Sequence, residues 1–225
     1  ITKIRKNSVK FYNDLKNITG LDNSFRKTGT INIATTKSRH QEFMRQKTMS
    51  KLFNLDIEII DKNKFKTLYP IAKNKDIFSG LYIPEDGQVD PEILTKNISI
   101  AAKKKGVKII EKCKLEKILK RGNQIRGVKT NLGTINCEYI VLCAGMWSRQ
   151  IGEAAGVSIP LYPNEHFYMI TEEYKKLPIN LPTFRDPDTY LYAREYNGKM
   201  MLGIFEPNAK NAFKKTGKVP SNFSF

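Results

Sequence analysis

The sequence predicts a mixed α/β fold, on three observations. Apolar residues recur at helical spacing in segments that alternate with short strand-like stretches. Residues Tyr139 to Leu142 are four consecutive apolar side chains, followed by the small pair Ala144-Gly145. A run without alternation suits a strand buried on both faces, as in a parallel sheet. Finally, a series of short strands in the middle of the chain and an Asn197-Gly198 turn near its end point to antiparallel pairing.

Taken in order, Ile4, Val9, Phe11, Tyr12, Leu15 and Ile18 form an imperfect helical stripe closed by Gly20. Ile31 and Ile33 alternate in a strand, and a helix is expected from about Ser38 to Phe53. Residues 57–60 read as a short strand. Asp61 then caps a helix that stops at Pro70. The stretch "IFSGLYIPEDGQVDP" is a strand and a turn containing Gly87, after which Asp90 and Pro91 open a helix that ends at Gly106. Short strands follow, with turns at 121–123 and 131–133. A short helix is expected over Ser148 to Ala155, a strand over 159–173, and a hairpin about Asn197-Gly198. From Asn211 onward the chain reads as loosely structured.

At 225 residues and 40% hydrophobic content the chain is long and apolar enough for a buried core. No apolar run approaches the roughly 18–20 residues of a membrane span, and no leader pattern is present. These features predict no membrane partner and a cytoplasmic location, or the mitochondrial matrix in a eukaryote. Three scattered cysteines without C-x-x-C, and two histidines, predict neither a disulfide framework nor a metal site. The net charge of +17 raises polyanion binding as an alternative. The lysines are dispersed, however, and the densest cluster, Lys103 to Lys105, ends a predicted helix, where cations suit the dipole. No nucleic-acid partner is expected. At the opening of the short helix, Trp147 either lines a ligand site beyond the carboxyl end of the apolar strand or fills core.

Five segments carry a resemblance when read together: "FRKTGTINIATTKSR", "GLYIPEDGQVDPEILTKNISIAAKKKGV", "IRGVKTNLGTINCEYIVLCAGMWSRQIG", "IPLYPNEHFYMITE" and "FRDPDTYLYAREYNGKMMLGIFEPNAK". In this order and spacing the chain resembles the FAD-dependent amine oxidoreductases of the D-amino-acid-oxidase superfamily, in particular the dimethylglycine and sarcosine dehydrogenase branch. The resemblance implies a partial FAD-binding, Rossmann-like domain with an interleaved substrate-domain β-sheet. Residues 87–155 would be mainly FAD-binding, and 21–86 with 156–210 mainly substrate domain.

The resemblance also implies roles. Leu115 would meet the adenine end of FAD, and the turn Cys143-Ala144-Gly145 with Trp147 would close over the nucleotide. His166 and Tyr168 would face the flavin as catalytic residues, two apart and so on one face of a strand. Arg185, Tyr192 and Arg194 would meet an amino-acid-like substrate, since arginine binds a carboxylate bidentately. Tyr190, Tyr192 and Arg194 alternate and would share a strand face, which is equally the pattern of an ordinary sheet surface. The implied activity is hydride transfer to FAD from the carbon next to a secondary or tertiary amine, such as dimethylglycine or sarcosine. Oxygen or an electron-transfer flavoprotein would be the acceptor, and tetrahydrofolate would act in a further domain. Relatives of this branch include a regulatory subunit of pyruvate dehydrogenase phosphatase, so a non-catalytic role through protein contacts is the alternative.

The glycine-rich G-x-G-x-x-G turn that cradles the FAD pyrophosphate is not in these 225 residues. His40 does not match the position of the histidine that attaches flavin in this branch. With Ile1 in place of a methionine, these departures predict the interior of a longer chain, inactive and weak in FAD binding by itself.

Overall fold

A computed structural model describes residues 2–22 and 24–223. In chain order the elements are α1 (Thr2–Thr19), β1 (Thr30–Ala34), α2 (Lys37–Ser50), a 3-10 turn (Lys51–Phe53), β2 (Glu58–Ile60), α3 (Lys62–Leu68), β3 (Ser79–Ile83), α4 (Pro91–Lys104), β4 (Leu115–Arg121), β5 (Gln124–Thr130), β6 (Gly133–Asn136), a second 3-10 turn (Gly145–Trp147), α5 (Ser148–Ala154), β7 (Tyr168–Ile170), β8 (Thr183–Asp186), β9 (Leu191–Tyr196) and β10 (Lys199–Ile204). The mixed α/β class follows directly. Two compact units divide the chain, one of Ile1–Val107 with His166–Glu206, the other of Lys108–Glu165 with Pro207–Phe225. These breaks fall some 10 to 20 residues from the boundaries expected at 87 and 155.

The first unit is built on a seven-stranded sheet in the order β2-β3-β1-β8-β9-β10-β7. β1 and β8 run parallel, and the other neighbouring pairs are antiparallel. Local chemistry sets the helix starts. Asp90 accepts from the N–H groups of Glu92 (2.9 Å) and Ile93 (3.0 Å), with Pro91 in the first turn. Asp61 does the same for Asn63 and Lys64. Each such cap satisfies donors the helix leaves unpaired and is worth about 1 kcal/mol. Asn197 and Gly198 both hold positive φ (51° and 76°), the backbone of a type I′ turn between β9 and β10.

Strand alternation then sorts the side chains. Ile31 and Ile33 point to one face, into a core with Ile60, Phe65, Tyr69, Ile77, Leu177 and Leu181, against which Phe184 packs. Burying each large apolar side chain of this kind contributes about 1.5–3 kcal/mol. On the other face, Ala34 and Leu81 are covered by Phe43 of α2. α1 packs on α4 through Leu15, Leu94 and Ala101. One polar group is stranded in the first core. The Tyr69 hydroxyl is buried with no hydrogen-bond partner among the described residues, and burial raises its pKa. Its ring stacks on Phe65 at 6.0 Å. Tyr69→Phe keeps that stacking and removes the unsatisfied hydroxyl, so urea unfolding should show a gain of about 1 kcal/mol.

The second unit holds the three-stranded antiparallel sheet β4-β5-β6, α5 and the C-terminal segment. Gln150 clamps that segment by exchanging two hydrogen bonds with the backbone of Val219. The apolar run before α5 departs from its expected form. Residues 137–144 hold no strand, and Tyr139 and Val141 are each 86% exposed. A doubly buried strand needs a neighbour on each edge and a layer on each face, and the described residues of this unit pair no strand with it. The strand expected over 159–173 shrinks to β7, because Pro160 and Pro163 lack the N–H that a ladder requires. No helix among the described residues is long and apolar enough to cross a membrane.

Candidate functional site

Cross-strand register assembles one row of candidate residues. Asn32 lies opposite Arg185, Arg185 opposite Tyr192, Tyr192 opposite Gly203, and Gly203 opposite Tyr168. Residues directly opposed in a sheet project to the same face. β1, β8, β9, β10 and β7 therefore carry Asn32, Arg185, Tyr192 and Tyr168 on one side, across four strand spacings of about 4.8 Å each. Glycine at the centre of the row has a visible reason. A Cβ at position 203 would collide with the ring and hydroxyl of Tyr192. The ring of Tyr192 lies over that bare backbone and stacks on Phe205 at 4.7 Å. Gly203→Ala should displace this ring and cost about 1–3 kcal/mol of overpacking, measurable by chemical denaturation.

Arg185 is exposed and makes no hydrogen bond or ion pair with a described residue. It is an uncommitted guanidinium directly opposite Tyr192. Arg194, on the same face of β9 as Tyr192, is partly committed: its Nη1 donates to the carbonyl of Val89 at 2.9 Å. Tyr190 is not part of the row, contrary to the alternation read from sequence. It precedes β9 with a left-handed φ of 61°, so strand alternation does not reach it.

His166 also stands off the strand expected to carry it, two residues before β7. Other contacts bring it to the row. Its ring packs edge-on against Phe205 at 5.3 Å, and its Nδ1 lies 3.0 Å from Glu206 Oε2. The chain of contacts His166–Phe205–Tyr192 thus leads back to Gly203 and Tyr168. Phe205 and Glu206 were missed by sequence reasoning. They follow β10 as "FE", with no local pattern to mark them. The hydrogen bond from His166 holds the Glu206 carboxyl below the usual carboxylate range, aided by its own backbone N–H. A depressed carboxyl stabilises the fold above its ordinary pKa, and that contribution is lost as pH falls through the lower folded value.

The residues assigned to the nucleotide lie in the second unit. Leu115 opens β4 and lines a hollow of about 400 Å³ with Ile118, Gln150, Ile151 and Ala154. Gly145 has φ 53°, and no atom lies within 4 Å of where a Cβ would stand. Its backbone is open to approach, as a turn closing over a ligand requires. Cys143 is an exposed free thiol and Ala144 accepts from the Trp147 N–H at 3.1 Å. Trp147 is neither core nor free, since its indole N–H donates to Pro220 O at 3.0 Å.

A model of the family described as "FAD dependent oxidoreductase" matches residues 1–221. The chain belongs to that family. It is 31% identical over 222 residues to 4-methylaminobutanoate oxidase (formaldehyde-forming) of Paenarthrobacter nicotinovorans, covering 99% of this chain and 27% of that one. It is 32% identical to the mitochondrial dimethylglycine dehydrogenase of Rattus norvegicus (93% of this chain, 25% of that one). It is 33% identical to the mitochondrial pyruvate dehydrogenase phosphatase regulatory subunit of Mus musculus (94% and 24%). Among solved structures it is similar to L-proline dehydrogenase from P. horikoshii, with a TM-score of 0.82 and 25% identity over 89% of this chain and 54% of that one. The FAD-dependent oxidoreductase chain described here thus spans about a quarter of the length of these three curated relatives. FAD is the cofactor of this family. The open backbone at Gly145 and the hollow at Leu115 fit its nucleotide end, and these 225 residues contain no glycine-rich pyrophosphate turn.

Proposed function

We propose that this FAD-dependent oxidoreductase chain belongs to an enzyme that oxidises an N-methylated amino acid at the carbon next to its secondary or tertiary nitrogen. The observation that carries the reading is Arg185, an exposed guanidinium without a partner among the described residues, in register with Tyr192 and in one row with Tyr168. A planar five-donor fork of this kind suits the carboxylate that a simple amine lacks. The names of the dimethylglycine dehydrogenase and the methylaminobutanoate oxidase support the same substrate class.

Under this reading Arg185 takes the carboxylate, and Tyr192, held by Phe205 and by the glycine opposite, forms the wall beside it. Arg194 lends its remaining donors. The amine arrives as an ammonium ion and reacts only after giving up its proton, so a proton acceptor is required at the nitrogen. Tyr168 and His166 are the candidates. In the second unit, Leu115, Cys143, Ala144, Gly145 and Trp147 are the residues assigned to the nucleotide. FAD, when bound, supplies the acceptor for the two electrons of the C–H bond next to nitrogen. The resulting iminium hydrolyses or passes its one-carbon unit to tetrahydrofolate, and the electrons leave to oxygen or an electron-transfer flavoprotein.

The test is a substrate panel on the FAD-loaded protein. Sarcosine, dimethylglycine and 4-methylaminobutanoate should be oxidised, and N-methylalkylamines of matched size should not. Equal turnover of both groups would remove the carboxylate from the argument and the reading with it. A second reading, a regulatory role through protein contacts, is favoured by the 33% identity to the phosphatase regulatory subunit. It predicts no turnover of any amine by protein that holds FAD.

A further inference from the structure

The pair His166–Glu206 has chemistry of its own. We propose that Glu206 is a positioning residue that holds the His166 imidazole in its Nδ1–H form, leaving Nε2 as the proton acceptor for the substrate amine. The inference rests on the amine-oxidation reading and adds a specific proton path to it.

The geometry supplies the argument. His166 Nδ1 and Glu206 Oε2 are 3.0 Å apart. An ionised carboxylate only accepts, so the shared proton belongs to Nδ1 and the imidazole must donate. A neutral imidazole has one N–H, and fixing it on Nδ1 makes Nε2 the bare nitrogen. Nε2 makes no hydrogen bond with a described residue. The ring cannot swing freely, since Phe205 packs against it at 5.3 Å and is itself stacked on Tyr192. The carboxylate, the ring and the aromatic brace therefore define both the tautomer and the direction of the acceptor. The side chains of His166 and Glu206 are 31% and 41% exposed, which leaves the imidazole open to a substrate.

The N–H bond of the substrate ammonium breaks and its electron pair stays on the amine nitrogen. The proton joins the lone pair of Nε2, giving an imidazolium whose Nδ1–H still faces the Glu206 carboxylate. The new positive charge is then stabilised by that carboxylate, which favours the transfer. No electron changes hands until the amine is neutral.

The groups around the imidazole are few. Glu206 after β10 faces Nδ1. Tyr192 on β9 is reached through Phe205, and Tyr168 on β7 lies two residues along the chain. The neighbouring Glu165 is paired with Lys210 at 3.4 Å.

The test has a readout that needs no flavin. In the chain labelled with ¹⁵N at histidine, the two ring nitrogens of neutral His166 should report a protonated Nδ1 and a bare Nε2. Glu206→Gln, an exposed and nearly isosteric change, should abolish that preference, because an amide offers both donor and acceptor. In the FAD-loaded protein Glu206→Gln should lower kcat by about tenfold or more, a part of the 10²–10⁴ that a general base supplies, with KM changed less than threefold. Glu206→Asp should restore part of the tautomer preference. A wild-type His166 protonated on Nε2, or a tautomer unchanged in Glu206→Gln, overturns the inference while leaving the amine reading in place. If wild-type protein holding FAD oxidises no N-methylated amino acid, the amine reading fails, and the acceptor role of Nε2 goes with it.

Discussion

Replacing Arg185 by methionine should raise KM for an N-methylated amino acid about 100-fold while leaving thermal stability nearly unchanged. The magnitude follows from two lost charge-assisted hydrogen bonds, each worth about 1.5–3 kcal/mol gross, partly regained by water in an open site. The stability expectation follows from exposure: Arg185 makes no hydrogen bond or ion pair with a described residue, and such surface changes stay within about 0.5 kcal/mol. Arg185→Lys should recover only part of the affinity, since an ammonium has no bidentate fork. Steady-state kinetics and a melting curve on the same preparations separate the two effects. A large fall in Tm with unchanged KM would make Arg185 structural.

Glu195→Ala should be the most destabilising single change on the strand that carries Tyr192 and Arg194. Glu195 sits on the opposite face of β9 and is 2% exposed. One carboxylate oxygen accepts from Arg26 Nη2 at 2.6 Å, and the other from the Gly198 N–H at 2.9 Å in the turn between β9 and β10. Alanine leaves a buried cavity, an unpaired turn N–H and a half-buried guanidinium that has lost its counter-charge. Breaking such a pair from one side costs about 3–5 kcal/mol when both members are buried, and Arg26 at 39% exposure trims this to about 2–4 kcal/mol. Urea denaturation at neutral pH reads it directly. Because the turn sets the register of β9 against β10, Tyr192 should also lose its seat over Gly203, and substrate affinity should fall with stability.

These two predictions draw on different kinds of information. Glu195 shares its strand face with Ala193 and its strand with Arg194, a placement that alternation alone makes legible. The Asp61 and Asp90 caps and the Asn197-Gly198 turn were equally legible, because each is decided within four residues. The row Asn32–Arg185–Tyr192–Gly203–Tyr168 was not. It depends on the parallel pairing of β1 with β8 across some 150 residues, and pairing register is set by the whole sheet. His166 and Glu206 meet across 40 residues for the same reason. The apolar run 139–142 taught the opposite lesson. Its unbroken apolar character pointed to a doubly buried strand, but burial also needs neighbours, and in the second unit Tyr139 and Val141 are exposed. Family resemblance reached further than local pattern here, because it carries the order and spacing of distant segments at once.

The central claim is that this sheet face serves the oxidation of a carboxylate-bearing, N-methylated amine. Anaerobic mixing of the FAD-loaded protein with sarcosine or dimethylglycine tests it most directly. The account predicts bleaching of the flavin absorbance by an N-methylated amino acid, slowed in Arg185→Met. Flavin that stays oxidised with every N-methylated amino acid, in protein shown to hold FAD, would contradict it.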